Sequence, residues 1–287
     1  FHGFTAAWDE HPDRDEKWKQ EELGRIGEER FRREYGCEFL VFDETLVNSM
    51  VLSTLEGIEP QLNMGQTRWY KKMDPQKTYV VALDPAMGTG GDNAAIEVLE
   101  LPTFEQVAEW KHNTTPVPQQ VRILKDICNH IKDETKSSGS NIYWSVENNT
   151  IGESALLVIN DFGEDQIPGM FVSEPIRKGH IRKFRKGFNT THKTKISACS
   201  RLKNMIEKGK LKIYSKPLIS ELKAFVASGS SYKAKSGEHD DLVSAMLLAM
   251  RIIAVLKDWD PKVYTSFSQA DEDTADKVMP MPIFVSH

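Results

Sequence analysis

Acidic residues stand at the ends of three apolar segments of this sequence. Asp84 and Glu147 each end a short apolar run typical of a buried strand, and Asp240 and Asp241 come directly before a long apolar helical pattern. If the two strands are neighbours and the helix packs its start against their edge, three carboxylates meet. Their mutual repulsion favours protonation unless cations neutralise it.

Carboxylate oxygens are the ligands that Mg²⁺ and Mn²⁺ prefer in proteins. Taken singly, each acid has a simpler interpretation. Asp84 can cap the turn of a hairpin, and Asp240 can cap the last helix. Taken together, their positions on three core elements favour a divalent-metal site.

Positive charge is concentrated in residues 177–216, called the basic segment below. This segment holds 14 Lys and Arg and a single acid, Glu207, whereas the whole chain has a net charge of −5. Such segregation favours a surface that binds a polyanion. Several basic side chains flank a loop rich in Gly, Asn and Thr, which suits sequence-independent contacts with phosphates. These DNA-binding candidates are Arg182, Lys183, Arg185, Lys186, Lys193 and Lys195.

The composition is that of a soluble globular protein. Of the 287 residues, 39% are hydrophobic and 28% are charged. No apolar run approaches the ~18 residues that span a bilayer, so no membrane partner is expected. The cysteines, Cys37, Cys128 and Cys199, form no CxxC pair. Their spacing argues against a disulfide framework or a zinc site and fits a reducing cytoplasm.

The hydrophobic pattern from residue 79 onward alternates between strands and helices. Three strands joined by short turns predict an antiparallel meander, and the later strands follow helices. We therefore expect an α/β fold with a central mixed sheet of five to six strands, flanked by helices and preceded by a helical N-terminal extension. The predicted strands are 79–84, 94–101, 106–112, 142–147, 170–172 and 211–214, and the predicted helices begin near residues 118, 153, 195 and 240.

Three motifs carry a resemblance to a known family. They are Leu-Asp-Pro-Ala at 83–86, Ser-Val-Glu-Asn-Asn at 145–149 and Gly-Glu-His-Asp-Asp-Leu-Val-Ser-Ala at 237–245. In their order and spacing the sequence resembles the ribonuclease H-like nuclease domain of the large terminase subunit of tailed, T4-like bacteriophages. Residues 31–39 are similar to the end of that family's ATPase domain and its hinge, so the resemblance covers roughly residues 8–257.

The resemblance implies a metal-dependent endonuclease that cuts concatemeric double-stranded viral DNA during genome packaging. It implies two-metal-ion hydrolysis of the phosphodiester bond, with two Mg²⁺ or Mn²⁺ ions as cofactors. On this scheme Asp84 bridges the two ions, Glu147 binds one of them, and Asp241 binds the other.

Three further residues are candidates for accessory roles at the same site. Asp240 or Asp92 would complete the coordination, and Asp92 lies where T4-like members carry an accessory acid. His239 could orient a ligand or assist proton transfer. A lone histidine at a helix start is, however, more often a neighbour of the cap.

The resemblance also implies a domain organisation. Residues 1–70 are expected to form a helical hinge or linker continuing from a missing ATPase domain, residues 71–260 the nuclease domain, and residues 261–287 a C-terminal tail. The family's ATP-driven motor needs a GxxxxGK[ST] phosphate loop, and this sequence has none. The implied partners are that ATPase domain, the portal and the small terminase subunit. The implied location is the host bacterial cytoplasm, at the packaging machine.

Other functions fit parts of the same pattern. The hairpin from Asp84 to Asp92 resembles the phosphate-binding turn of an actin- or Hsp70-like ATPase lobe. A Holliday-junction resolvase or transposase-type nuclease shares the superfold. A non-catalytic DNA-packaging docking module would use the basic segment without needing the carboxylates. ATP turnover, substrate structure and the effect of removing Asp84 distinguish these alternatives.

Overall fold

A computed structural model describes most of the chain. It covers Pro12, residues 14–26, Phe31, Tyr35, 44–178 and 181–259, with only the backbone described at 176–178, 181–185 and 259. The chain divides into two compact units, Phe1–Glu44 and Thr45–His287. In the first unit helix α1 (Glu16–Ile26) places Trp18 edge-on to the ring of Tyr35, with 5.1 Å between the ring centroids.

The second unit is built on a seven-stranded sheet in the order β1-β2-β5-β4-β3-β6-β7. Strands β3, β4 and β5 form an antiparallel meander, whereas β6 is parallel to β3 and β7 is parallel to β6. The strands are Leu62–Met64, Thr67–Trp69, Thr78–Asp84, Ala94–Leu101, Glu105–His112, Ile142–Val146 and Met170–Phe171. This topology confirms the predicted α/β fold with a meander followed by parallel strands.

Two strands lie at one edge of the sheet beyond those that the sequence predicts. The hairpin of β1 and β2 falls inside residues 1–70, where we expected helices, and β2 pairs with β5 through Arg68 and Trp69. Each strand has only three residues, too few for a period-two pattern to stand out. A short helix, α2 (Ser49–Thr54), precedes them. The sheet therefore begins before residue 70, and the domain limits at 70 and 260 stay predictions.

Helices cover both faces of the sheet. Alternate residues of β3 point to opposite faces, so Val81 and Leu83 pack with helices α3 (Val117–Thr135) and α4 (Thr150–Phe162). Val80 and Ala82 pack instead with the opposite helical layer. That layer consists of α5 (His192–Glu207), α6 (Lys216–Ala224) and α7 (Asp241–Trp259). Burial of each large aliphatic side chain contributes about 1.5–3 kcal/mol.

Two further hairpins lie in the described part of the second unit. They are β8 (Glu174–Lys178) with β9 (Ile181–Arg185), and β10 (Phe225–Ser228) with β11 (Ser231–Ala234). The strand predicted at 211–214 is wrong, because residue Lys212 makes only an isolated bridge to Glu105. The side-chain oxygen of Gln106 accepts the Tyr214 backbone N–H at 2.9 Å, taking a donor that a ladder would use.

No helix within the described ranges is both long and apolar enough to cross a membrane.

Candidate metal centre

The parallel pairing of β3 with β6 brings two of the predicted carboxylates to one edge of the sheet. Leu83 lies opposite Val146, and the Glu147 backbone N–H donates to the Leu83 carbonyl at 3.0 Å. Asp84 and Glu147 therefore leave adjacent strands at the same level. Both side chains are partly buried.

The start of α7 brings the third carboxylate to this edge. The Asp240 carbonyl accepts the Ser244 N–H at 2.8 Å, so Asp240 is the N-cap and Asp241 lies in the first turn. Asp241 is only 9% exposed, and its Oδ2 accepts a hydrogen bond of 2.5 Å from Asn93 Nδ2. The Asp240 Oδ2 instead accepts the Ala234 N–H at 3.3 Å. The two aspartates thus have different surroundings.

These side chains line one cleft of about 350 Å³. Its acidic members come from four separate parts of the chain, and amide side chains lie among them. The polar lining residues are Asp84, Asp92, Asn93, Glu147, Asn149, Thr150, Glu238, His239, Asp240, Asp241 and Ser244. The ends of β3 and β6, the turn between β3 and β4, and the start of α7 therefore converge on a concave, oxygen-rich surface.

The cleft strongly disfavours negative charge on Asp84. Burial raises the pKa of this carboxyl well above its usual range, and the nearby charges of Glu147, Asp241 and Asp240 raise it further. Burial also raises the pKa of Asp241, against the opposing effects of the Asn93 hydrogen bond and of His239. Carboxyl groups that hold their protons for these reasons become ionised readily when a cation is supplied.

The oxygen-bearing side chains of the cleft suit hard divalent cations, although they are not arranged around a single point. Among the residues that the structure describes, no three His, Cys, Asp or Glu side chains are arranged to hold a single ion. Carboxylate and amide oxygens are nonetheless the ligand types that Mg²⁺ and Mn²⁺ take. The assignment of Asp84, Glu147 and Asp241 as metal ligands thus stays a prediction.

The accessory candidates lie at the mouth of the cleft. Asp92 is exposed at its rim, on the turn between β3 and β4. His239 has a side chain that is 54% exposed, and its Nδ1 lies 3.6 Å from Asp241 Oδ2. Their proposed roles also stay predictions.

Two residues of the site escape sequence reasoning. Asn93 orients Asp241 from 148 positions away along the chain, and its only local signal is its place beside Asp92. Gly152, in the first turn of α4, lies so close to the strand end that an added Cβ would overlap the Glu147 carbonyl oxygen. Glycine here allows the helix to approach the sheet edge.

The basic segment adjoins the cleft through its backbone. The Asn148 N–H donates to the Phe188 carbonyl at 2.7 Å, and Asn189 Nδ2 donates to the Asn148 carbonyl at 3.1 Å. Lys186, whose carbonyl accepts Asn148 Nδ2 at 2.8 Å, is exposed. Residues 186–190 thus lie against the loop that follows Glu147.

The remaining DNA-binding candidates have distinct surroundings. Lys193 is exposed in the first turn of α5, whereas Lys195 is partly buried, with Nζ 5.5 Å from the ring centroid of Phe225. Strand β9 carries Arg182, Lys183 and Arg185, whose side chains lie outside the described part of the structure. Contact of any of these residues with DNA stays a prediction.

A mixed sheet with carboxylates at adjoining strand ends and at the start of α7 defines a ribonuclease H-like domain. The family model described as the terminase RNaseH-like domain matches residues 81–251. The chain belongs to this family.

Solved structures share the fold. The large terminase nuclease of thermophilic phage G20c with bound magnesium aligns to this chain with a TM-score of 0.54 and 18% sequence identity. The alignment covers 72% of this chain and 97% of the G20c chain. The same nuclease with bound cobalt gives the same TM-score and identity. The large terminase nuclease domain of Thermus phage P74-26 has a TM-score of 0.50 at 20% identity, covering 69% of this chain and 91% of that chain.

Proposed function

We propose that this chain is a DNA endonuclease that requires divalent cations and cuts concatemeric double-stranded viral DNA during genome packaging. The observation that carries the proposal is the convergence of Asp84, Glu147 and Asp241 on one cleft at adjoining ends of core elements. Membership of the terminase RNaseH-like family and the metal ions bound by the G20c nuclease support it.

In this proposal Asp84, Glu147 and Asp241 would hold two Mg²⁺ or Mn²⁺ ions. Asp240 or Asp92 completes the coordination. When bound, such ions activate water for attack on phosphorus and neutralise the charge that develops on the phosphate and the leaving oxygen.

The side chains of this protein have separate tasks in that scheme. The raised pKa of Asp84 favours its protonated form in the metal-free cleft, and the ionised carboxylate is the form that would serve as a metal ligand. Asn93 orients Asp241 through its hydrogen bond. His239, exposed at the mouth and 3.6 Å from Asp241, can pass a proton between the cleft and solvent. The basic segment binds DNA phosphates.

The proposal includes the setting of the reaction. The nuclease would work with an ATPase domain of the same subunit, the portal and the small terminase subunit, in the cytoplasm of the host bacterium.

Digestion of supercoiled plasmid with Mg²⁺ or Mn²⁺, without ATP, tests the function. We expect the wild-type protein to yield nicked and linear DNA and Asp84→Asn to be slower by at least about 100-fold, the scale on which removal of a key electrostatic group acts. Asp126→Asn serves as the control, because Asp126 is an exposed acid on α3, outside the residues that line the cleft. Equal cutting by wild type and Asp84→Asn would contradict the mechanism.

The same preparation separates the alternatives. ATP turnover without plasmid cutting would favour an ATPase lobe. Strong preference for a four-way junction over a linear duplex would favour a resolvase. DNA binding that Asp84→Asn leaves intact, with no cutting by either protein, would favour a docking module.

A further inference from the structure

The first turn of α7 is held by a residue from a different helix. One carboxylate oxygen of Glu221, on α6, accepts the backbone N–H groups of Leu242 at 2.8 Å and of Val243 at 3.1 Å. The other oxygen accepts a hydrogen bond of 2.7 Å from Lys111 Nζ. Glu221 is 6% exposed, so these bonds form with little competition from water.

The Glu221 carboxylate replaces the side chain of the N-cap residue as the acceptor for first-turn N–H groups of α7. The side chain of the N-cap, Asp240, is turned to the Ala234 N–H at 3.3 Å. The first-turn donors of α7 are therefore satisfied from outside the helix, and a negative group at a helix N-terminus is favourable in itself.

Lys111, the partner of Glu221, lies at the same end of the sheet as the cleft. Cross-strand pairing aligns Asp84 with Ala95 and Ala95 with Lys111, so the three residues form one row across β3, β4 and β5. Because directly paired residues share a face of the sheet, Asp84 and Lys111 project toward the layer that contains α7. The ammonium group then offsets the charge of Glu221 at a place where acids already gather.

We propose that the Glu221–Lys111 pair is a positioning device that fixes the Asp241 carboxylate in the cleft by anchoring the N–H groups directly after it. The proposal rests on the proposed function, because it treats Asp241 as a metal ligand. Glu221 itself does not touch the cation in this scheme. It determines where the first turn of α7, and therefore Asp241, can lie.

The test measures Mn²⁺ dependence of plasmid cutting in Glu221→Gln, Glu221→Leu and Lys111→Met. Glutamine keeps an acceptor oxygen for the two N–H groups but loses the charge, whereas leucine loses both. We expect the Mn²⁺ concentration at half-maximal rate to rise by roughly tenfold in Glu221→Leu and by roughly threefold in Glu221→Gln. At saturating Mn²⁺ both variants should cut at a rate within about twofold of wild type, because a high cation concentration favours by mass action the conformation in which Asp241 can bind it.

Lys111→Met distinguishes two roles for the pair: fixing the position of Asp241, or acting on the cation only through the electric field of its charges. Loss of a positive charge near a cation site should tighten cation binding if the pair acts only through its field. If the pair positions Asp241, the same variant should weaken Mn²⁺ binding, because Glu221 loses one of its anchors. A lower half-saturating Mn²⁺ concentration in Lys111→Met would therefore overturn the proposal.

Amide hydrogen exchange at Leu242 and Val243 gives a readout that does not depend on catalysis. We expect faster exchange of these two amides in Glu221→Leu, with a smaller effect in Glu221→Gln. Glu105→Gln is the matched control, since Glu105 pairs with Lys71 and Lys212 at the opposite end of β5 from Lys111. It should change neither the exchange of these amides nor the Mn²⁺ dependence.

Two outcomes separate this inference from the proposed function. Unchanged exchange and unchanged Mn²⁺ dependence in Glu221→Leu would overturn the positioning role while leaving the nuclease intact. If the wild-type protein neither cuts DNA nor binds Mn²⁺, the proposed function fails. Faster exchange at the two amides in Glu221→Gln would then still support the anchoring of α7 by this pair.

Discussion

Negative charge gathered around Asp84 should destabilise the metal-free protein, and Asp84→Asn should relieve that cost. The pKa of Asp84 is raised in the folded state, first by burial and then by Glu147, Asp241 and Asp240. Well below about pH 4, the usual pKa of an unfolded aspartate, the folded and unfolded forms both hold the proton and the residue costs no stability. As pH rises through the unfolded value, stability falls until the folded pKa is passed, by about 1.36 kcal/mol for each unit of difference.

A bound cation should reverse the sign of this effect. At a concentration 100 times its dissociation constant, a ligand that binds only the folded state contributes about 2.7 kcal/mol. For a domain of about 150–250 residues each kcal/mol raises the melting temperature by about 2–4 °C, so Mn²⁺ should raise it by about 5–11 °C. Metal-free Asp84→Asn should have a higher melting temperature than metal-free wild type. The rise in melting temperature that Mn²⁺ causes should fall below about 2 °C in this variant.

Thermal unfolding at pH 7.5, in EDTA and across a Mn²⁺ titration, measures both effects in one experiment. The control Asp126→Asn should keep the wild-type melting temperature in EDTA and the full Mn²⁺ shift. An undiminished Mn²⁺ shift in Asp84→Asn would refute the ligand assignment. A melting temperature in EDTA below that of wild type would refute the charge argument.

Three further variants, one of them a double substitution, test other parts of the structure. Glu97 and Glu109 face each other across β4 and β5, and Glu97 Oε1 and Glu109 Oε2 are buried without a hydrogen-bond partner among the described residues. Glu97→Gln can donate to Glu109 and should raise the free energy of unfolding at pH 7, measured with urea, by about 1–3 kcal/mol, whereas a decrease would contradict the pairing. Lys193→Glu combined with Lys195→Glu should slow DNA cutting and flatten its salt dependence; an unchanged slope would remove both residues from the DNA path. Gly152→Ala should lower the cutting rate roughly 10–100-fold by displacing the Glu147 carbonyl, while Gly91→Ala, which has open space around it, should have no effect.

The central strands could be predicted from the sequence because their apolar runs are long. The prediction at 94–101 matches β4, and the prediction at 79–84 differs from β3 by one residue. Once β3 and β6 are known to be parallel neighbours, the proximity of Asp84 and Glu147 follows from the chain direction alone. The part of the site that rests on strand ends was therefore accessible from local patterns.

The remaining parts of the site depend on contacts that leave no local trace. Lys111 and Glu221 are 110 residues apart, and each is an ordinary surface residue type in the sequence. The start of α5 at His192, three residues before the predicted start, follows from a capping box in which Thr194 replaces the usual Glu or Gln. The paired hairpin strands have only three to five residues, too few alternating positions for their pattern to be recognised.

Opposite charges meet at one end of the sheet, and their proximity bears on how an acidic protein can approach DNA. The carboxylates of the cleft repel a phosphate backbone for the same reason that they repel each other. At physiological ionic strength charge is screened within about 8 Å, so distant lysines cannot offset this repulsion. Hydrogen bonds between residues 186–190 and the loop after Glu147, made by backbone groups and by asparagine side chains, place this part of the basic segment beside the cleft. If the basic segment binds DNA as proposed, we expect its local placement, rather than the net charge of −5, to determine whether DNA can reach the carboxylates.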